Sequence, residues 1–364
     1  MNLYQMKNRN IKIGYVPYSA DLTHPDDRRR FPFYAKRQQI PYCLAAFETH
    51  YDIIILPAPA NLTRWREYKK AHPDTVFIFE MVDSLIHQND WINIVMKGWG
   101  RYLLKKESKP CLKHKNVLIR WLKEADVVLC SNPVTVGMVK NWNNKVIFSL
   151  DYQEHEYHFL KKDYSIKGKM KLFWEGQGVV LPQLLRYKKV FDRVQSFCEL
   201  HIVTSPSFPL YGPFYKISTK DFLKRLPIKS FFHQWDQVQN ANLFSQFDCG
   251  IIPMNPADVY AWHKPANKLL AFWFSGLPTL TSDTPAYKEL ALKSGSDFLC
   301  RNEEEWVEKL QRIYKMAPAQ RKAIAEENYK FIKKMYSNEE MDKSWNEILE
   351  IGINILQEKR NRTT

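Results

Sequence analysis

The chain has 364 residues, of which 45% are hydrophobic and 14% aromatic, and a formal net charge of +15. This length and apolar content exclude a disordered protein and a single ordinary core, and they predict two domains of roughly 150 residues each. The six cysteines show no CxxC pair, and several lie inside predicted strands as small apolar residues, so a reducing cytoplasm is the simpler inference. No window approaches the apolar run of a membrane span, and the start, MNLYQMKNRN, carries no apolar signal core, so a soluble or at most peripheral protein is expected.

The positive balance calls for an anionic partner. Anionic phospholipid is one, worth about 1 kcal/mol per basic residue held near its surface. Nucleic acid is a rival, but the chain has no zinc-finger spacing, RNP aromatic motif or basic heptad helix. The charge is also spread along the chain, with clusters at Arg28 to Arg30, Lys105 to Lys115 and Lys161 to Lys171. A generally basic, solvated surface is the plainer reading.

In chain order, the first half reads as strands at Ile11 to Val16, Tyr51 to Leu56, Thr75 to Phe79, Val127 to Cys130 and Lys145 to Phe148. They are short and rich in Ile and Val, as strands of a parallel sheet covered on both faces should be. Helical stretches fall between them, including Asn61 to Ala71 and Leu112 to Glu124. After the first strand comes His24-Pro-Asp-Asp-Arg-Arg-Arg-Phe31. Three arginines beside two aspartates are either a solvated charge run or, at a strand end, an anion site. In the second case Arg28, Arg29 and Arg30 would hold an acceptor phosphate or a donor phosphate, and Asp26 or Asp27, with His24 as a second option, would supply a base to the acceptor hydroxyl. Glu80 to Ser84 follows the third strand; Asp83 is either a carboxylate for chemistry or the N-cap of a helix starting near Leu85, with Glu80 in reserve.

Asp151 to Lys169 is polar and unpatterned and reads as the interdomain linker, so Lys161 is expected at the surface, where truncation to Ala does little. Its His155 and His158 are not in an HExxH arrangement, and no third ligand stands nearby, so no metal site is expected. A second strand-helix rhythm follows. Its strands are Lys171 to Trp174, Leu200 to Thr204, Ile228 to Phe232, Cys249 to Pro253, Pro278 to Thr281 and Asp297 to Leu299. Its helices include Leu181 to Phe197, Val238 to Phe247 and Glu303 to Met316, and an amphipathic helical tail covers Pro318 to Glu358.

The first of these strands runs into Trp174-Glu-Gly-Gln-Gly178. Gly176 and Gly178 either bring the backbone close to a phosphate or form a turn that needs positive φ. Trp235, just past the strand Ile228 to Phe232, is either a packing residue or a stacking platform for a base. The richest segment is Phe247 to Tyr287, which reads as two apolar strands joined through a basic helix from about Pro265 to Ser275, stopped by Gly276. Lys264 is expected at the start of that helix, where the dipole favours an anion, and Lys268 one turn later on the same face.

The order Lys264, Asn267, Lys268, an Ala/Phe-rich helix, Gly276-Leu277-Pro278 and Pro285-Ala286-Tyr287 resembles the nucleotide-binding half of the GT-B glycosyltransferases, in particular bacterial enzymes related to the family 4 retaining transferases. The resemblance implies an α/β fold of two Rossmann-like domains facing across a cleft: residues 1–160 for the acceptor, 161–335 for the nucleotide-sugar donor, and a last helix, 336–364, crossing back to the first domain. It implies donor binding by Gly176, Gly178, Trp235, Lys264, Asn267, Lys268 and Tyr287. It places Asp83 near the reacting carbon and the His24 to Arg30 loop on the acceptor side. The co-substrate is a nucleotide sugar with no resident cofactor, and the acceptor is a glycan or lipid-linked precursor of a bacterial surface polysaccharide such as lipopolysaccharide or capsule, on the cytoplasmic side.

One departure stands out. The family's paired glutamates, counted back from Gly276, fall on His263 and Ala271, so an imidazole that donates or accepts replaces the sugar-facing carboxylate. No metal-binding Asp-x-Asp motif stands at a strand end, so Lys264, Lys268 and backbone N–H groups are expected to meet the leaving-group charge. The alternatives are a nucleotide-sugar epimerase or phosphorylase on the same fold, or a basic nucleic-acid binder.

Overall fold

The computed structural model describes residues 11–82, 86, 100–103, 105, 107–108, 114–157, 160–209, 215–236, 240–255 and 257–363. The described chain divides into two compact units. The first holds the residues up to Tyr152, His263–Pro265 and the chain from Asn338 on; the second holds Gln153–Trp262 and Ala266–Ser337.

The sheet of the first unit contains β1 (Ile13–Tyr15), β2 (Cys43–Leu44), β3 (Ile53–Pro57), β4 (Val76–Met81), β5 (Val127–Cys130) and β6 (Val146–Phe148), in the order β2-β1-β3-β4-β5-β6. Every pair is parallel. β3, β4 and β5 are buried along their whole lengths, which is why β3 and β5 read as unbroken apolar runs and β4 as one broken only by Glu80. Trp121 of the His114–Glu124 helix stacks on Phe79 at 5.8 Å and donates its indole N–H to the Leu62 carbonyl at 2.9 Å. The Asn338–Thr363 helix packs on this unit: Trp345 lies on Tyr34 at 5.8 Å, the Tyr34 hydroxyl donates to Asn346 at 2.6 Å, and Arg37 pairs with Asp342 at 2.9 Å.

The second unit has β7 (Met170–Glu175), β8 (Cys198–Thr204), β11 (Ser230–Gln234), β12 (Cys249–Ile252), β13 (Thr279–Ser282) and β14 (Leu299–Cys300), in the order β11-β8-β7-β12-β13-β14, again all parallel. A short antiparallel pair, β9 (Ser207–Pro209) and β10 (Lys216–Ser218), stands apart from it. Its core gathers Leu172, Leu200, Ile202 and Ile251 from the strands with Trp306 and Leu310 from the Glu303–Lys315 helix. In each sheet the chain moves outward on one side and then crosses to the other. Strand order thus reverses between β1 and β3 in the first and between β7 and β12 in the second, and doubly wound sheets bind ligands beyond the carboxyl ends of the strands at such a point.

Three elements differ from the sequence reading. The stretch expected as one helix from Leu181 to Phe197 is a 3-10 helix, Gly178–Tyr187, followed by an α-helix, Lys188–Val194; Pro182, which has no N–H to give, sits in the 3-10 part. The polar stretch from Asp151 is not a solvated linker. The Lys161 side chain is buried, 6% exposed, and donates to the Ser245 carbonyl at 3.1 Å while lying 4.0 Å from Asp248. Removing Lys161 would take away the ammonium that lies 4.0 Å from the buried Asp248 carboxylate, so this residue is no silent surface position. The helix expected from Pro265 begins at Asn267 and ends at Phe274.

Candidate functional site

In the second unit the chain leaves β7 at Glu175 and turns through Gly176 and Gly178. Neither glycine has positive φ, which removes the left-handed turn as their explanation. Space explains them instead. A Cβ on Gly176 would lie 2.8 Å from the Trp174 ring and 3.3 Å from Lys268 Nζ, and one on Gly178 would lie 2.6 Å from Phe208 Cβ and 2.8 Å from Ser205 Oγ. The turn is therefore a place of close backbone approach.

Lys268 is the second residue of the Asn267–Phe274 helix. Its ammonium donates to the Glu175 carbonyl at the end of β7 and lies 5.4 Å from the centre of the Trp174 ring. A cation, a glycine turn and the positive end of a helix dipole thus meet at the carboxyl end of β7, the strand next to the reversal of order. Opposite, Tyr187 fixes the exit of β12: its hydroxyl donates to the Met254 carbonyl at 2.6 Å and lies 2.8 Å from Ser282 Oγ, which accepts the Met254 N–H at 2.9 Å. Sequence reasoning missed this clamp. Ser282 at the end of β13, a strand of sequence TLTS, is the signal that pointed to it.

Trp235 follows β11 directly, its N–H donating to the Thr204 carbonyl at 3.0 Å, and its side chain is 40% exposed. Tyr287 lies in the first turn of the Pro285–Ser294 helix and is buried, and that burial pushes its phenol up, so it stays neutral.

His263 and Lys264 fall in the first unit rather than with Asn267 and Lys268. His263 Nδ1 lies 2.9 Å from the Thr135 hydroxyl, and the Lys264 carbonyl accepts from Asn132 Nδ2 at 2.7 Å. Because the helix starts at Asn267, Lys264 and Lys268 do not share a helical face, contrary to the spacing argument. Asn132 does double duty, since its Oδ1 also caps the Pro133–Val139 helix by accepting the Val134 N–H at 2.8 Å. The signal was present in the sequence as Asn-Pro directly after a strand.

The loop after β1 holds a second polar constellation. His24 caps the short Pro25–Arg29 helix, with Nδ1 accepting the Asp26 N–H at 3.2 Å. Asp27 is buried and accepts four hydrogen bonds: from the Tyr15 hydroxyl at 2.7 Å, the Tyr18 and Ser19 N–H groups at 2.9 Å each, and the Ser19 hydroxyl at 3.1 Å. The Asp26 carboxylate is half-buried, 3.5 Å from His24 Nδ1.

The arginine run is not one fork. Arg28 Nε donates to the Thr23 carbonyl at 3.1 Å, and the Arg29 carbonyl accepts from the Tyr152 N–H at 2.8 Å. Arg30 is 1% exposed, bonded through Nε to Glu80 at 2.9 Å and through Nη1 to Asp151 at 2.7 Å. Expected with its neighbours as an anion site, it is instead the hub of a buried ion cluster. Glu80, expected in a loop, lies inside β4 and is fully buried; burial raises its carboxyl above the ordinary range against the opposing pull of Arg30. Asp83 lies outside the described residues. No group of three His, Cys, Asp or Glu among the described residues is arranged to hold a metal ion, and no described helix is long and apolar enough to cross a membrane.

No protein-family profile and no curated protein matches the chain. Solved structures do. HepE of Anabaena in complex with UDP matches with a TM-score of 0.60 at 11% identity, over 93% of this chain and 100% of that one. TarM matches with a TM-score of 0.56 at 10% identity, over 84% of this chain and 54% of that one. A mutant of S. aureus TarM in complex with Fondaparinux, alpha-GlcNAc-glycerol and UDP matches with a TM-score of 0.51 at 10% identity, over 84% and 55%. The chain thus spans about half the length of TarM and the whole of HepE. Two parallel, doubly wound sheets and these likenesses give the protein the GT-B fold.

Proposed function

We propose that the protein is a glycosyltransferase that moves a sugar from a nucleotide-sugar donor to a hydroxyl of a glycan or lipid-linked acceptor in bacterial surface polysaccharide synthesis. The observation that carries this reading is Lys268, a cation held at the carboxyl end of β7 beside the Gly176–Gly178 turn. UDP in the HepE and TarM complexes makes a uridine diphosphate sugar the first donor to test.

In the reaction the bond from the sugar carbon to the donor's phosphate oxygen breaks, a bond to the acceptor oxygen forms, and the acceptor's proton passes to a base. The leaving diphosphate gains charge as it departs, and Lys268 with the N-terminus of its helix meets that charge. Asn267 orients the donor, Trp235 stacks on the base, and the Gly176–Gly178 turn, packed tightly against Trp174 and Lys268, lines the phosphates. The first unit serves the acceptor, and Asp83 is the carboxylate assigned to the chemistry on that side. No resident cofactor or metal takes part in this scheme. The net charge of +15 supports peripheral attachment to the anionic inner face of the membrane, where a lipid-linked acceptor resides.

A thermal-shift screen against nucleotide sugars tests the donor assignment. A ligand present at a hundred times its Kd stabilises the native state by about 2.7 kcal/mol, so the true donor raises Tm by several degrees. No shift with uridine, guanosine, cytidine or thymidine sugars would sink the donor site.

A further inference from the structure

The loop after β1 carries one half-buried side chain whose proton position the geometry dictates. His24 Nδ1 faces the Asp26 N–H at 3.2 Å, and the Asp26 carboxylate oxygen stands farther away, at 3.5 Å. A backbone N–H can only donate, so Nδ1 must present its lone pair. A neutral imidazole has one N–H, which is then on Nε2. The ring is clamped in this pose. It stacks on Tyr18 at 5.2 Å with 8° between planes, its own backbone N–H donates to Ser19 Oγ at 3.0 Å, and Asp27 ties down Tyr18 and Ser19 in turn. The His24 side chain is 42% exposed, at the strand beside which the first sheet reverses its order.

We propose that His24 binds an oxygen of the glycosyl substrate as a neutral donor through Nε2–H, and that it is not the base of the reaction. The identity of the ligand rests on the glycosyl-transfer reading; the tautomer does not. A base needs an open lone pair, and the lone pair of His24 is spent on the helix cap. Burial lowers the ring's proton affinity and so favours the neutral form; the charges of Arg28 and Arg29 act the same way, and those of Asp27 and Asp151 oppose. A neutral imidazole that donates to a substrate oxygen is an established catalytic device.

Nitrogen-detected NMR of the full chain labelled at histidine reads the tautomer directly: the expected result is a protonated Nε2 and an unprotonated Nδ1 for His24, and a protonated Nδ1 overturns the proposal. Kinetics supply the second arm. His24→Asn keeps an oxygen for the cap, but its amide N–H stops short of the Nε2 position, whereas His24→Gln reaches as far as Nε2 with an N–H. His24→Asn should lower kcat/KM by about three- to tenfold if the partner is a sugar hydroxyl and by about ten- to a hundredfold if it is a phosphoryl oxygen, with His24→Gln recovering most of it. The acid limb of the pH–rate profile should survive in His24→Asn. Wild-type efficiency in His24→Asn, or loss of that limb, would refute the assignment. If the parent protein turns over no nucleotide sugar, the glycosyl-transfer reading fails and the NMR measurement still decides the tautomer.

Discussion

Lys268→Met lowers kcat/KM for glycosyl transfer by about a hundred- to a thousandfold and leaves the fold intact. The magnitude is that of removing one preorganised group facing a developing oxyanion. Met keeps the length of the stem that runs past Trp174, so the packing side of Lys268 is retained and only the ammonium is lost. Because diphosphate charge grows as the donor bond breaks, the loss should fall mainly on kcat, with a smaller change in donor affinity. Lys322→Met is the control, an exposed lysine in a surface pair with Glu326, and should leave the rate unchanged. Near-native turnover in Lys268→Met would reduce the contact with Glu175 to a structural one.

Arg30→Met has the largest expected effect on stability. The guanidinium lies between two buried carboxylates, Glu80 and Asp151, and removing it leaves both in a site of low polarity. Breaking such a pair from one side destabilises by about 3 to 5 kcal/mol, which for a unit of this size lowers Tm on the order of 10 °C. Glu80→Gln in the same chain should return part of the loss, since it removes one of the stranded charges. Urea unfolding of the three proteins gives the comparison. Native stability with a raised acceptor KM would instead return Arg30 to the anion-binding role that its sequence neighbourhood implied.

That role shows where the sequence was legible and where it was not. β4, β5 and β12 were readable because buried parallel strands are short apolar runs, and these were found within two residues of their ends. The Gly176–Gly178 turn was readable in position but not in cause, because a glycine kept for lack of space and one kept for positive φ look alike in a sequence. Arg30 was misread for a different reason. Consecutive arginines look solvated, yet the helix break at Arg30 separates it from Arg28 and Arg29 and turns it toward Glu80 and Asp151, which are 50 and 121 residues away in the chain. No local pattern encodes a partner at that distance. Lys161 was hidden in the same way, since a polar segment gives no sign that one of its lysines is folded against Ser245 and Asp248. The helix start at Asn267 was missed because Pro265 is a natural first helical residue, and here the chain uses it outside the helix.

The most direct measurement follows a uridine diphosphate sugar incubated with the protein, with and without a glycan or lipid-linked acceptor carrying free hydroxyls. Glycosyl transfer predicts nucleoside diphosphate release that depends on the acceptor, with the sugar recovered on the acceptor and both signals lost in Lys268→Met. Turnover of the donor to an epimer or a sugar phosphate with no acceptor present would contradict it.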